Sequence, residues 1–268
     1  MSPAIRTRIV VGVAALAAAG VVAGVVLSTR QDPAQPKALC TKLTAIVYPG
    51  VATTNAAAVR KAFESGPVDA ARTLEPLAQE HPDDPVVQFN DGTALFCAGF
   101  PTDAEQAYRR AKKVGADTWY RVKADLLLHP QYFQKLGYPI FTYFGADALL
   151  VQGQLQQREY HQVSAERLYA RAAQLHPDDA DAQVAAAVGR FDMDDLSASF
   201  SRLGPLVKTF PRSQTVRFHL GLLLAWTGQK QQAVKEFQLA RSLGPETKLG
   251  KESDAFLKGV VPTGTNAP

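Results

Sequence analysis

Two hydrophobic patterns divide the chain. Residues 9–27 are nineteen consecutive Ala, Val, Gly, Leu and Ile side chains with no polar position among them. From residue 51 onward the apolar positions recur three or four residues apart, the spacing of one helix face. A helix rising about 1.5 Å per residue carries the first run across roughly the hydrocarbon core of a bilayer. A helix that is apolar on every side has no face for water. The pattern therefore predicts a transmembrane helix at 9–27, after a short basic tail at 1–8 that carries Arg6 and Arg8. Basic residues before a first span usually stay inside, which places the N-terminus in the cytoplasm and the rest outside it, although Arg30 on the far flank weakens the asymmetry. The competing reading is a cleaved signal peptide, whose apolar region runs about 7 to 15 residues and ends in a small-x-small site. This run is longer and ends in Val26-Leu27-Ser28, and Lys37-Ala38-Leu39 is a poor approach to a lipid anchor at Cys40. Gly20 and Gly24 form a Gly-x-x-x-Gly pair that lets two helices approach closely. That leaves a homodimer through the span open, but a stretch so rich in Ala and Gly yields such a pair by chance.

After a polar linker at 28–36, the chain repeats itself with a period of 34 residues. Pro177, Pro211 and Pro245 are each 34 apart, and the column twelve residues earlier holds Ala165, Ser199 and Ala233. Ala70 and Ala104 extend the register upstream. The fullest copy carries Leu220-Gly221, Leu224, Gly228, Ala233, Phe237, Ala240 and Pro245. The copy from Pro85 has Gly92, Leu95, Gly99, Ala104, Tyr108 and Ala111, and that from Ala146 has Gly153, Ala165, Tyr169, Ala172 and Pro177. Small residues such as Gly92, Gly153 and Gly221 let two antiparallel helices cross closely, while Tyr108, Tyr169 and Phe237 fill the space to the next pair. Asp83-Asp84 and Asp178-Asp179 follow His81-Pro82 and His176-Pro177 and suit the N-caps of the next helices.

These columns resemble the tetratricopeptide-repeat family. The resemblance implies an all-α helical solenoid over 37–260, with repeats at 51–84, 85–118, 146–179, 180–213 and 214–247, of which those from Val51 and Ala180 are degenerate. Additional helices are expected at 37–48 and 251–260, covering ends that would otherwise expose apolar faces, with a disordered tail at 261–268. Between the second and third copies the period lengthens from 34 to 61 residues, an insert at 119–145. It holds Trp119, Tyr120, Tyr132, Phe133, Tyr138, Phe141, Tyr143 and Phe144, eight of the 23 aromatic residues. Burial is the ordinary use of such rings, and the alternative is that some face outward as interface anchors.

The resemblance further implies a protein or peptide partner in a concave groove lined by the first helix of each repeat. The residues at those columns are Phe89, Asn90, Phe96, Arg158, Phe191, Phe218, His219 and Trp226, with Asn55, Phe63 and Gln154 beside them. Such a groove takes an apolar helix or extended segment, with Asn90 and Arg158 fixing its orientation. The Lys and Asn set with which family members clamp a terminal carboxylate is not supplied.

Charge and chemistry narrow the function. Lys and Arg number 29 against 25 Asp and Glu, and setting aside Arg6 and Arg8 leaves 27 against 25, too little for the basic footprint of a nucleic-acid binder. Phosphate-loop, zinc-helix, nucleophile-elbow and Cys-x-x-Cys motifs are absent from the sequence. His81 and His176 stand at helix ends, and neither His129 nor His161 has a carboxylate at ligand spacing. Asp192, Asp194 and Asp195 begin like a calcium loop but lack its Gly and its distal Glu, so they read as a solvated turn. Glu75, Glu80, Glu105 and Glu166 lie on polar faces with no apolar pocket to raise a carboxylate's pKa. No catalytic, metal or cofactor site is expected. Cys40 and Cys97 suit one disulfide in an oxidising compartment, or two unrelated thiols. The expectation is a membrane-tethered protein–protein interaction module, a scaffold or assembly factor. The alternatives are an exported soluble binding protein released by signal cleavage, or an accessory subunit of a membrane enzyme complex.

Overall fold

The computed structural model describes residues 40, 43–130 and 140–260. The basic tail, the span at 9–27 with Gly20 and Gly24, the linker and the tail at 261–268 lie outside the described residues, as do Tyr132, Phe133 and Tyr138. Among the described residues no helix is long and apolar enough to cross a membrane.

All regular structure described is helical, and on either side of residues 131–139 each helix packs on its neighbour in sequence. The first pair is α1 (Ala56–Ala62), continued by a 3-10 turn at Phe63–Ser65, and α2 (Pro67–Glu80). The second is α3 (Pro85–Ala98) and α4 (Pro101–Val114), after which α5 (Trp119–Leu128) packs on α4. The chain resumes with α6 (Ala148–Arg158) and α7 (Gln162–Leu175), then α8 (Ala180–Gly189), α9 (Leu196–Leu203) and the short α10 (Leu206–Thr209). It ends with α11 (Gln214–Trp226), α12 (Lys230–Leu243) and α13 (Lys248–Val260).

The repeat columns explain the pairing. A Cβ at Gly92 would lie 2.9 Å from the Tyr108 ring, and one at Gly221 2.9 Å from Phe237, so only glycine admits these rings; Gly153 stands in the same relation to Tyr169. Those rings, with Ala104, Ala165 and Ala233, are buried. Asp84 accepts from the Val86 and Val87 amides and Asp179 from that of Asp181, capping α3 and α8. A further column stitches pair to pair: Gln88 Nε2 donates to the Ala78 carbonyl at 2.7 Å, and Gln183 Nε2 to that of Ala173 at 3.1 Å. Each bond satisfies a carbonyl near a helix end that has no intrahelical partner. In the degenerate copy from Ala180 the second helix breaks at Gly204-Pro205, where proline removes a donor.

One stretch departs from expectation. Residues 43–48 form no helix and run as irregular chain, because their backbone groups bond to side chains of α3 and α5 rather than to one another. The insert at 119–145 follows its burial reading: its first part is α5, and residues 140–146, without helix, pack against the second half of the molecule.

Candidate functional site

Both irregular segments are held by the first helices of the pairs. In the first half Asn90, on α3, clamps Ile46: its Oδ1 accepts the Ile46 N–H at 2.7 Å, and its Nδ2 donates to the Ile46 carbonyl at 2.8 Å. The same Nδ2 donates to Val86 O at 2.7 Å, four residues back on its own helix, which fixes the amide's orientation. Tyr120, on α5, donates its hydroxyl to Ile46 O at 3.0 Å and accepts the Tyr48 N–H at 2.8 Å. The Tyr48 ring stacks on Trp119 with centroids 4.9 Å apart. A Cys40–Cys97 disulfide, Cα atoms 5.5 Å apart, ties the chain just before this segment to the end of α3.

The second half repeats the device. Gln157 Oε1 accepts the Phe141 N–H at 2.9 Å and Gln154 Nε2 donates to Phe141 O at 3.0 Å, both from α6. His219 Nε2, on α11, accepts the Thr142 N–H at 2.9 Å, so the ring proton sits on Nδ1 and is donated to Thr215 O at 2.8 Å. Phe141 is fully buried and stacks on His219 at 5.0 Å and on Tyr143 at 5.7 Å. Asn90 and His219 occupy the same column of their two repeat copies. Each bonds back to the carbonyl four residues earlier and outward to the backbone of an irregular segment.

Burial pushes the His219 imidazole down to about 4 despite its bond to the Thr215 carbonyl. A folded pKa below the unfolded value of about 6.5 means that the unfolded chain binds more protons between these limits. Stability from the neutral ring is therefore complete above pH 6.5 and is lost as pH falls toward 4, in all about 3 kcal/mol. His219→Asn keeps an acceptor and a donor, as Asn90 has, but does not titrate. The difference in unfolding free energy between wild type and this variant should shrink or reverse by about 3 kcal/mol between pH 7 and pH 4 in urea titrations. Parallel curves would show that the ring is not held neutral.

The residues expected to line an open groove are mostly core. Phe89, Asn90, Phe191, Phe218, His219 and Trp226 are each 5% exposed or less. Phe63 and Gln154 are also buried, and Phe96 is half-buried. The physical reason is that neighbouring rings and the chain's own segments fill the space before them. Phe89 meets Tyr108, Trp119 and Tyr120, Phe218 meets Phe237 and Phe256, and Phe191 meets Trp226. Arg158 is exposed at the end of α6, apart from these contacts. Asn55 bonds to Asp84. Of the described insert aromatics, Trp119, Tyr120, Phe141 and Tyr143 pack inward and Phe144 is exposed.

The turn at Asp192 and Asp194 is exposed to solvent, as expected, but it is also tied to the first half of the molecule. Lys112 Nζ, on α4, lies 2.7 Å from Asp125, 2.8 Å from Asp192 and 2.7 Å from Asp194. His129 Nε2 also reaches Asp194, at 2.9 Å, the carboxylate partner that local spacing does not reveal. Asp125, His129 and Asp194 converge as metal ligands would, but the Lys112 ammonium already supplies the cation among the carboxylates. Bonds to Lys112 and His129 outweigh desolvation and hold the Asp194 carboxyl down at about 2. Asp195 instead caps α9 through the Ala198 amide at 2.9 Å. Across the interruption, Asp117 accepts from Ser164 N at 3.0 Å and Ser164 Oγ at 2.6 Å, at the N-terminus of α7.

No family model matches this chain, and no curated protein is similar to it at a significant level.

Proposed function

We propose that the chain is a membrane-tethered interaction module of tetratricopeptide-repeat type, whose first-helix faces read the backbone of extended segments and are occupied in the resting state by the chain's own residues 43–48 and 140–144. The observation that carries this reading is the two-way bonding of Asn90 to both the N–H and the carbonyl of Ile46. A side-chain amide that satisfies one residue's backbone on both sides does not depend on that residue's side chain, so it suits any extended segment. Support comes from the 34-residue columns, the packing of helices in sequence-neighbour pairs and the disulfide, which persists in oxidising compartments such as the exterior of a bacterial membrane. A scaffold or assembly factor that exchanges its own segment for a partner's fits these features.

The test removes the competition of the built-in segment. Cys40→Ser/Cys97→Ser/Ile46→Pro protein, purified from alkaline-washed membranes where a tethered chain remains, is expected to bind a fluorescent peptide of residues 43–51 saturably. Adding Asn90→Ala should weaken that binding about tenfold, the worth of one or two net hydrogen bonds. Absence of binding, or indifference to Asn90, overturns the reading.

A further inference from the structure

Beside Asn90, the next residue of α3 turns elsewhere. Asp91 lines a cleft of 630 Å³ between α2 and α4, with Glu75, Asp103 and Arg110 among its walls and Val68, Ala71 and Leu95 as apolar lining. The Asp91 side chain is 1% exposed. Its Oδ1 has no hydrogen-bond partner. The nearest cation, Arg110 Nη2, stands 3.5 Å from the other oxygen, Oδ2, while Arg110 Nε donates to Gln88. In the fullest repeat copy the same column holds Leu220. The copies from Ala146 and Ala180 hold Gln152 and Ala186 there, so no other copy from Pro85 onward carries a charge in this column, and a buried carboxylate with an unpaired oxygen is a standing destabilisation that needs a compensating role.

We propose that this cleft binds a primary alkylammonium group, toward whose charge the covered Asp91 carboxyl turns its Oδ1 while the methylenes lie against the apolar lining. Three carboxylates, Glu75, Asp91 and Asp103, share the cleft with two guanidinium groups. Arg72 is already engaged by Asp69 and Arg110 by Asp91 and Gln88, which leaves the cleft short of positive charge. One free oxygen suits the point charge of an ammonium better than the two-pronged guanidinium fork. A divalent metal fits worse, because the Arg110 guanidinium stands beside Asp91, the buried one of the cleft's three carboxylates. The same chemistry is offered by a free alkyl diamine and by a lysine side chain. The site stands apart from the clamps on the segments and does not depend on them.

The test is a titration of the full-length protein in detergent micelles with 1,4-diaminobutane and, separately, N-acetyl-lysine methylamide, followed by methyl resonances of Val68 and Leu95. Saturable shifts are expected with at least one probe at pH 7. The tighter probe identifies the source, a free diamine or a lysine of a polypeptide. Asp91→Asn should weaken binding at least tenfold. Asp91→Leu, which restores the residue type of the equivalent column, should abolish it while the helices stay folded at equal or higher denaturant concentration. Burial pushes the Asp91 carboxyl up to about 6, opposed by Arg110 and aided by Glu75 and Asp103. Arg72 also faces the cleft from α2. Affinity should therefore fall about tenfold between pH 7 and pH 5 as the carboxylate is protonated. Absence of saturable shifts in the wild-type protein, or equal binding by the Asp91 variants, overturns the proposal.

Discussion

Reduction of the Cys40–Cys97 disulfide is expected to lower the stability of the first half of the molecule by about 4 kcal/mol, the chain-entropy value for a closed loop of this size. The bridge spans 57 residues, so in the reduced protein the unfolded ensemble regains the freedom that the loop removes. The native state is affected at a particular place. Residues 43–48 are only partly buried against the core, and their backbone is held by Asn90, Tyr120 and the tether at Cys40. Denaturant unfolding with and without a phosphine reductant measures the global effect. Trp119 reports the local one, since its ring stacks on Tyr48. Reduction should change Trp119 fluorescence and speed hydrogen exchange at the Ile46 and Tyr48 amides before any helix is lost. Cys97→Ala should match the reduced wild type in both. A stability change under 1 kcal/mol would mean that the side-chain clamps alone hold the segment, and that the first-helix face is not under redox control.

The helices were legible because they rest on local spacing. Gly92 with Tyr108 and Gly221 with Phe237 are contacts between columns that the repeat places sixteen residues apart, and the Asp84 and Asp179 caps are set by their immediate neighbours. The segment at 43–48 was not legible. Its apolar residues suit a terminal helix as well as an extended strand. The deciding partners are Asn90, 44 residues on, and Tyr120, 74 residues from Ile46. For the same reason Phe89 and Phe218 read as groove-lining rings: the columns place them on first helices, but no periodicity tells that the chain's own segments or terminal helix lie against them. The burial of Lys112 among carboxylates 13, 80 and 82 residues away has no local signal at all. Two signals were present in the alignment of the copies. Asn90 and His219 share a column, as do Asp91 and Leu220. A polar residue where the fullest copy is apolar points to the cleft, and the shared column of an amide and an imidazole points to the clamps.

Replacing Lys112 with Met is expected to destabilise the protein by about 3–5 kcal/mol, the range for removing one partner of a buried ion pair. The Asp125 side chain is fully buried and that of Lys112 is only 12% exposed. Burial alone works against the charge of Lys112, yet Asp125, Asp192 and Asp194 together hold its pKa above the usual value. Without the ammonium, three carboxylates face one another at the junction of α4 and α5 with the turn before α9, which joins the two halves across the interruption. Burial already raises the Asp125 carboxyl while Lys112 pulls it down, so in the variant it rises further. A carboxyl whose folded pKa lies above its unfolded value binds its proton more tightly in the folded state. The deficit should thus be largest at pH 7 and shrink as pH falls toward 4. Adding Asp125→Leu to Lys112→Met should recover part of the loss, because the buried charge goes with its partner. Arg109, 3.2 Å from Asp194 and half exposed, serves as the contrast: Arg109→Ala should change stability by less than about 1 kcal/mol, as for an ordinary surface pair. A loss of similar size for Lys112 and Arg109 in urea unfolding would show that the junction is wet, and that the halves are joined by packing rather than by this ammonium.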